Sequence, residues 1–413
     1  KQKYTGILPM DKVSLYIKEN WRKTFHPAGD LSGEIKIDHP YVSPCTADHY
    51  TDLFYWDTYF INIGLLADGF TEQARNNIDN ISRFIDALGF MPNVNYISDR
   101  SQPPLFTRMI YDYYVHTGDR SVIEDYIGAV LKEYTFWQTK RKNRIGLSSY
   151  GNNGGKTDIL NNYGWHHSRV LETGETEEEK LRIGKDIMAI AESGLDFNVR
   201  FRTKESRIAA HEFSHLDLDC ILFDVEMRTS EMLKLLSRCD EADEFSKRAE
   251  ERKKLIDRYY LTEDGIYLDY NMVTGAHSEI LSAVSLYPYA FGVSGDKAGA
   301  RKVLKRLELP FGLSTCEKRE DDVFFQWDYP CMWPAATCFA YMGLKNVGLD
   351  EDARRIAEKY VSAVRNIFDE TGRLWEKYDA LTGKIAVTAE YETMPMMGWT
   401  AGVYRMFVEG EDL

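Results

Sequence analysis

The sequence predicts an all-α fold in which helical hairpins close into one toroid, with short β-hairpin insertions. Three observations predict it. Apolar residues recur at the three-to-four spacing of a buried helix face through about a dozen segments. Many of those segments pair across short turns bearing Gly or Asp. No Pro-, Gly- or Ser-rich linker or low-complexity tract separates them, and no repeat of fixed period suggests a solenoid. A single domain spanning 1–413 is therefore expected.

In chain order, helices are expected over 10–21, 55–68, 72–88 and 103–117. In "SVIEDYIGAVLKEYTFWQ" the set Val122, Ile123, Tyr126, Ile127, Val130, Leu131, Tyr134 and Trp137 forms one apolar face. Further helices are expected over 179–193, 218–238, 240–260, 279–292, 296–307 and 332–346. Ala353, Ile356, Ala357, Tyr360, Ala363, Val364 and Ile367 mark another, and the last covers 398–408. Two stretches alternate apolar and polar residues about a Thr-Gly turn, "DGIYLDYNMVTGAH" and "GRLWEKYDALTGKIAV", and read as β-hairpins. Three polar, aromatic stretches, 44–59, 89–104 and 148–173, are expected as loops; the last is long enough to be a binding or lid segment.

Charge narrows the function. The formal net charge of −14 is spread along the chain, which argues against nucleic acid or an anionic membrane and favours a neutral small molecule. No stretch of ~18 apolar residues is present to span a bilayer. The 26 tyrosines, 20 phenylalanines and 8 tryptophans suit a sugar-binding cleft as well as a large core. Six cysteines without a C-x-x-C pair read as reduced thiols and lean towards the cytoplasm. The chain begins at Lys1 rather than Met, so a periplasmic or secreted location stays open.

Two short motifs fail on context. "HEFSH" (His211, Glu212, His215) matches the zinc-peptidase pattern, which needs both imidazoles on one helix face. A family resemblance of the surrounding chain implies an extended segment here, leading into a helix near Asp217. "GNNGGKT" lacks the first glycine of a phosphate loop, because position 150 is Tyr150.

Carboxylates flanked by aromatic and small residues recur in "ESGLDFNVRF", "QWDYPCMWP" and "AEYETMPMMGWTAG". Asp196 ends an apolar-periodic helix after Ser193-Gly194-Leu195, and Glu390 precedes the final helix. Facing each other across the mouth of a toroid, the two could serve glycoside hydrolysis, one as acid and one as base. Taken singly, each also suits a surface or capping role.

From about Tyr50 to Phe407 the chain resembles the trehalases, glycoside hydrolase family 37. "YWDTYFINIGLLADG", "MPNVNYISDRSQPPLF", "AESGLDF", "GLSTCEKREDDVFFQWDYPCMWP" and "AEYETMPMMGWTAGV" match its signature stretches in the family's order. The resemblance implies an (α/α)6 toroid, a six-hairpin barrel, that hydrolyses an α-linked disaccharide with inversion and without metal or cofactor. It implies Asp196 as general acid and Glu390 as general base. Trp56, Asp57, Asn93, Arg100, Gln102, Gln326 and Trp333 fall on the glucose subsite, with Tyr50, Phe54, Trp399, Arg169 and Glu172 as further sugar contacts. Trp56 and Trp333 would equally suit core packing.

Departures from the pattern bear on recognition. His49-Tyr50 stands where the family has Arg-Phe, Arg169-Val170-Leu171-Glu172 where it has Arg-Pro-Glu, Leu195 where it has Trp, and Cys331-Met332 where it has Asn-Gly. The expected substrate is trehalose or a small α-glucoside. The alternatives are a family-63-like enzyme acting on glycosyl-glycerates, a non-catalytic sugar-binding protein and a zinc peptidase. The sequence does not set the oligomeric state.

Overall fold

A computed structural model of the chain describes residues 10–29, 35–46, 49–203, 207–320 and 325–411. The apolar periodicities become helices α1 (Lys12–Asn20), α2 (Tyr55–Ala67), α3 (Thr71–Leu88), α4 (Phe106–Thr117), α5 (Ser121–Lys140), α6 (Lys156–His166) and α7 (Glu177–Glu192). They continue as α8 (Leu216–Leu235), α9 (Cys239–Tyr259), α10 (Tyr287–Ala290), α11 (Lys297–Leu307), α12 (Pro334–Asn346), α13 (Asp350–Thr371) and α14 (Gly398–Glu411). Local chemistry sets their starts. Asp11 accepts the backbone N–H groups of Val13 and Ser14 at the head of α1. Thr176 and Glu179 form a reciprocal capping box at the head of α7, whose first turn carries Glu177, Glu178 and Glu179.

Six helices touch in the order α2, α4, α8, α10, α12, α14, and α14 packs back on α2 to close the ring. Helices α3, α5, α9, α11 and α13 pack against them from outside. α1 joins this outer layer: Asp11 accepts the Tyr404 hydroxyl of α14 at 2.7 Å, and Arg405 donates to Ser14 at 3.1 Å. The result is an (α/α)6 toroid with the α6–α7 hairpin inserted between α5 and α8. Composition explains the layering. α2, α8, α12 and α14 are buried around most of their circumference, whereas α9 buries only a stripe including Ala242, Phe245, Ala249, Arg252 and Ile256. Ring closure depends on missing side chains. A Cβ on Gly402 of α14 would lie 1.9 Å from the Phe60 carbonyl oxygen of α2, so only glycine permits that approach.

The core divides in two. The larger apolar cluster fills the toroid, and a second, with Trp137, Tyr150, Ile187, Phe197, Phe201 and Leu222, packs the α7 side of the insertion. Three expectations change. The stretch 148–173 is not a plain loop, because α6 forms within it. Its signal is faint: only Ile159, Asn162 and Tyr163 are buried, and Asp158 accepts the Gly155 N–H to start the helix. The stretch 279–292 is not one helix. Ser282 bridges Cys316, a 3-10 turn covers Ala283–Leu286, and α10 follows with Pro288 in its first turn. The second expected hairpin pairs Tyr378–Asp379 chiefly with Cys331–Met332, and returns on itself through the Tyr378–Ile385 bridge. The first hairpin forms, Tyr270–Asn271 with Ala276–His277, and gains Phe213–Ser214 as a third strand. Among the described residues no helix is long and apolar enough to cross a membrane.

Candidate active site

A cavity of about 260 Å3 opens at the N-terminal ends of three inner helices, small enough to limit its occupant to a small molecule. Trp56 and Asp57 stand in the first turn of α2, Trp333 caps α12, and Trp399 lies in the first turn of α14. With Trp327 they form a cluster of four indoles. Trp327 lies flat on Trp333, centroids 3.8 Å apart, while Trp399 meets both edge-on and Trp56 closes against Trp327. Trp333 Nε1 donates to the Gln326 carbonyl at 2.6 Å and Trp399 Nε1 to the Glu376 carbonyl at 3.0 Å, which satisfies two polar ends and fixes both rings.

Asp196 reaches the cavity through the Ser193-Gly194-Leu195 turn after α7. Gly194 has φ +75, and a Cβ there would lie 2.7 Å from the Trp56 ring; glycine lets the turn rest on the indole. The opposite wall is the 93–102 loop. Its backbone pairs with itself and with the head of α2 (Asn93 N–H to Arg100 O, Tyr55 N–H to Asn93 O), and Gln102 Oε1 accepts the Trp56 N–H at 3.2 Å. Glu192, at the end of α7, ties the two walls together. It pairs with Arg141 at 2.6 Å and accepts the N–H groups of Ser101 and Gly151 at 2.9 and 2.7 Å.

Arg169 joins the two expected catalytic carboxylates. Its Nε and Nη2 donate to Glu390 Oε2 at 3.0 and 2.9 Å, Nη2 lies 3.9 Å from Asp196 Oδ2, and its plane covers the Phe197 ring. The two carboxylate oxygens thus stand no farther apart than the sum of those Nη2 contacts, 6.8 Å. Glu390 Oε1 accepts the Gln326 N–H at 2.7 Å. The Asp196 side chain is 36% exposed to the cavity, that of Glu390 only 6%. Burial raises the pKa of both acids above the ordinary carboxylate value, opposed by Arg169 and Arg100 at Asp196 and by Arg169 and the Gln326 N–H at Glu390. Asp57 is pushed by burial up to about 7.

Tyr50, Phe54, Trp56, Asp57, Asn93, Arg100, Gln102, Arg169, Asp196, Gln326, Trp333 and Trp399 line the cavity together. Glu390 stands behind Arg169. Glu172 is the correction. Its carboxylate pairs with Arg182 on α7 and accepts the Ile208 N–H at 2.9 Å. Leu171, at φ +56, occupies the added position between Arg169 and Glu172, and the chain turns the acid away from the cavity. Sequence reasoning missed Trp327, Glu376, Tyr391 and Met396 as lining residues. Trp327 and Tyr391 adjoin residues singled out, whereas Glu376 lay hidden in a stretch read as an ordinary hairpin.

The zinc pattern loses its geometry. His211 stands in a 3-10 turn bonded to Asp186, and His215 precedes α8 with its Nδ1 accepting the Tyr150 N–H and its Nε2 facing the Ala210 carbonyl. Among the described residues no cluster of three or more His, Cys, Asp or Glu side chains is placed to hold a metal ion.

Comparison with known proteins agrees with this architecture. The trehalase family model matches residues 11–410. The periplasmic trehalase of Xanthomonas axonopodis pv. citri is 29% identical over 91% of this chain and 69% of its own length. That of Pseudomonas aeruginosa is 29% identical over 90% and 71%. Among solved structures, the neutral trehalase Nth1 of Saccharomyces cerevisiae superposes with TM-score 0.74 at 22% identity, covering 98% of this chain and 81% of its own. A GH63 mannosylglycerate hydrolase from Thermus thermophilus gives 0.65 at 15%, covering 96% and 100%. The family match runs through both walls of the cavity and the closing helix α14, and by it the chain belongs to the trehalase family of glycoside hydrolases.

Proposed function

We propose that the chain, acting as one catalytic domain, hydrolyses trehalose or a closely related small α-glucoside with inversion at the anomeric carbon. The observation that carries this is the Arg169 bridge, which holds Asp196 and Glu390 together beside a cavity walled by indoles and hydroxyl-binding groups. Asp196 protonates the leaving oxygen, and Glu390 draws a proton from the attacking water. Unequal partners divide these roles. Arg169 lies an ångström closer to Glu390 than to Asp196 and so favours charge on the base. An inverting pair stands roughly 6.5–9.5 Å apart, against about 5–5.5 Å in a retaining one. The 6.8 Å bound puts this pair at the near edge of the inverting range or below it. Relatives named periplasmic trehalase support a periplasmic location. The cysteines do not oppose it, since five of the six are buried.

A second reading rests on the displaced Glu172. With that carboxylate turned away, Arg100 and Arg169 face the cavity, and Arg100 Nε is buried without a protein partner. Arg100 Nη1 pairs with Asp99 at 2.8 Å and Arg169 with Glu390, so the free Nε of Arg100 is the donor left for an anionic aglycone of the glycerate type. Release of glucose from trehalose, kojibiose, nigerose, maltose and glucosylglycerate, measured side by side, tests both readings. Trehalose as the best substrate supports the first, glucosylglycerate the second; cleavage of β-glycosides alone would overturn both.

A further inference from the structure

Three sulfur atoms meet inside the toroid, away from the cavity. Cys338 and Met342 stand four residues apart on α12 and so share one face, and Met406 reaches them from α14. Cys338 Sγ lies 3.6 Å from Met406 Sδ and 4.0 Å from Met342 Sδ. Trp333 caps α12 at the cavity, and at about 1.5 Å of rise per residue the thiol sits roughly 8 Å further along the helix. Cys338 is fully buried and Met342 nearly so, whereas Met406 is only partly buried, which leaves the α14 side as the way in.

A thiol carries a single proton, yet two thioether acceptors stand within reach of Cys338. We propose that Cys338, Met342 and Met406 form a site for a soft monovalent cation, Cu(I) or its congener Ag(I), which takes the place of the thiol proton. Thioethers are poor ligands for hard cations, and sets of thiolate and thioether sulfur select Cu(I). A metal–sulfur bond of about 2.3 Å puts ligand sulfurs about 3.8–4.0 Å apart in tetrahedral or trigonal geometry. The two contacts to Cys338 already stand close to that spacing. The unbranched, rotatable methionine chains supply the small adjustment that remains.

Charge selects the valence. Binding breaks the S–H bond, forms a metal–sulfur bond and releases the proton to solvent, so thiolate and monovalent cation together are neutral. A divalent ion would leave a net positive charge in an apolar interior, which is costly. The charged groups that act on the thiol are Arg108 and Asp112 of α4, which pair with each other at 3.1 Å. Burial pushes the thiol up to about 12 while Arg108 favours the thiolate, so the metal rather than pH removes the proton. The site stands independently of the glycosidase reading.

The test is anaerobic titration of the full chain with Ag(I), and with Cu(I) against a competing chelator, in a Cys239→Ser background that removes the exposed thiol. One ion should bind per chain with release of one proton, and X-ray absorption at copper should show a shell of three sulfurs at about 2.3 Å. Met342→Leu and Met406→Leu nearly conserve volume and should fold. Each should weaken binding by at least about 10-fold, since loss of even a supporting group costs that much. Cys338→Ala should abolish binding, and Zn(II) should not compete. Should Cys338→Ala fail to fold, the two leucine variants decide alone. Unchanged affinity in either leucine variant would reduce its thioether to packing and overturn the site. A copper shell of nitrogen or oxygen, the absence of binding, or full binding in Cys338→Ala would overturn it equally. None of these readouts involves hydrolysis, so their failure leaves the proposed activity standing.

Discussion

The floor of the cavity and its insertion-side wall are built on different principles. The floor is indole on indole at the ends of inner helices, and Trp333 and Trp399 each donate their N–H to a backbone carbonyl. This wall, supplied by the segments around α6–α7, and the 93–102 loop facing it are charged and less complete. Arg169 is divided between two acids, and Arg100 Nε is buried without a protein partner. A floor of stacked indoles, two of them fixed through their N–H groups, suits a sugar ring that must bind in one orientation. A wall with unpartnered polar groups suits atoms that appear or change charge during reaction. The difference teaches that the indole platform is settled within the toroid, whereas the proposed catalytic pair is assembled across the toroid and its insertion, with Glu390 ahead of α14 and Asp196 after α7.

That division can be broken at the wall first. Asp196→Asn should cost about 10²–10⁴-fold in kcat on trehalose, the usual span for a general acid, and much less on a fluoride whose departure needs no proton. Equal losses on both substrates would remove Asp196 from the acid role. Arg169→Ala should cost next most, because charged hydrogen bonds carry about 1.5–3 kcal/mol each. A drop in kcat/KM of roughly 10- to 100-fold follows, while thermal unfolding should change little. Rescue by guanidine would sharpen the assignment.

The pH profile addresses the same wall. On the proposed assignment, activity requires ionised Glu390 and protonated Asp196. Falling pH protonates Glu390 and rising pH ionises Asp196, and burial raises both groups. Both limbs of the profile of kcat/KM should therefore lie above the ordinary carboxylate values, and an acid limb near that of a free glutamate would contradict the burial argument.

The toroid should respond in the opposite sense. Gly402→Ala forces a methyl into the Phe60 carbonyl and should cost about 1–3 kcal/mol as overpacking. A lower melting temperature with KM little changed in the surviving protein is expected. Glu172→Gln is the mildest case. It loosens the pair with Arg182, so a small loss of stability without a change in KM separates this acid from the sugar site.

The floor was legible in the sequence because tryptophans are rare and their motifs are long. Trp56, Trp333 and Trp399 line one cavity, and the inner helices announced themselves by apolar periodicity. The insertion was harder. α6 buries too few apolar residues to mark itself. Glu172 reads as a displaced ligand until the left-handed Leu171 shows which way the chain turns. Glu376 and Lys377 lie in a stretch that reads only as a hairpin, and it is tertiary packing that buries both side chains. Alternation along a strand does not tell which face meets solvent when the sheet is two residues long.

The central claim is inversion by Asp196 and Glu390 at the wall of this cavity. The direct measurement is proton NMR of trehalose hydrolysis, read within the first turnovers and before mutarotation. Inversion transfers water to one anomeric carbon with opposite configuration and releases the other glucose unchanged, so β- and α-glucose should appear together in equal amounts. Initial release of α-glucose alone would mean retention and would contradict the account.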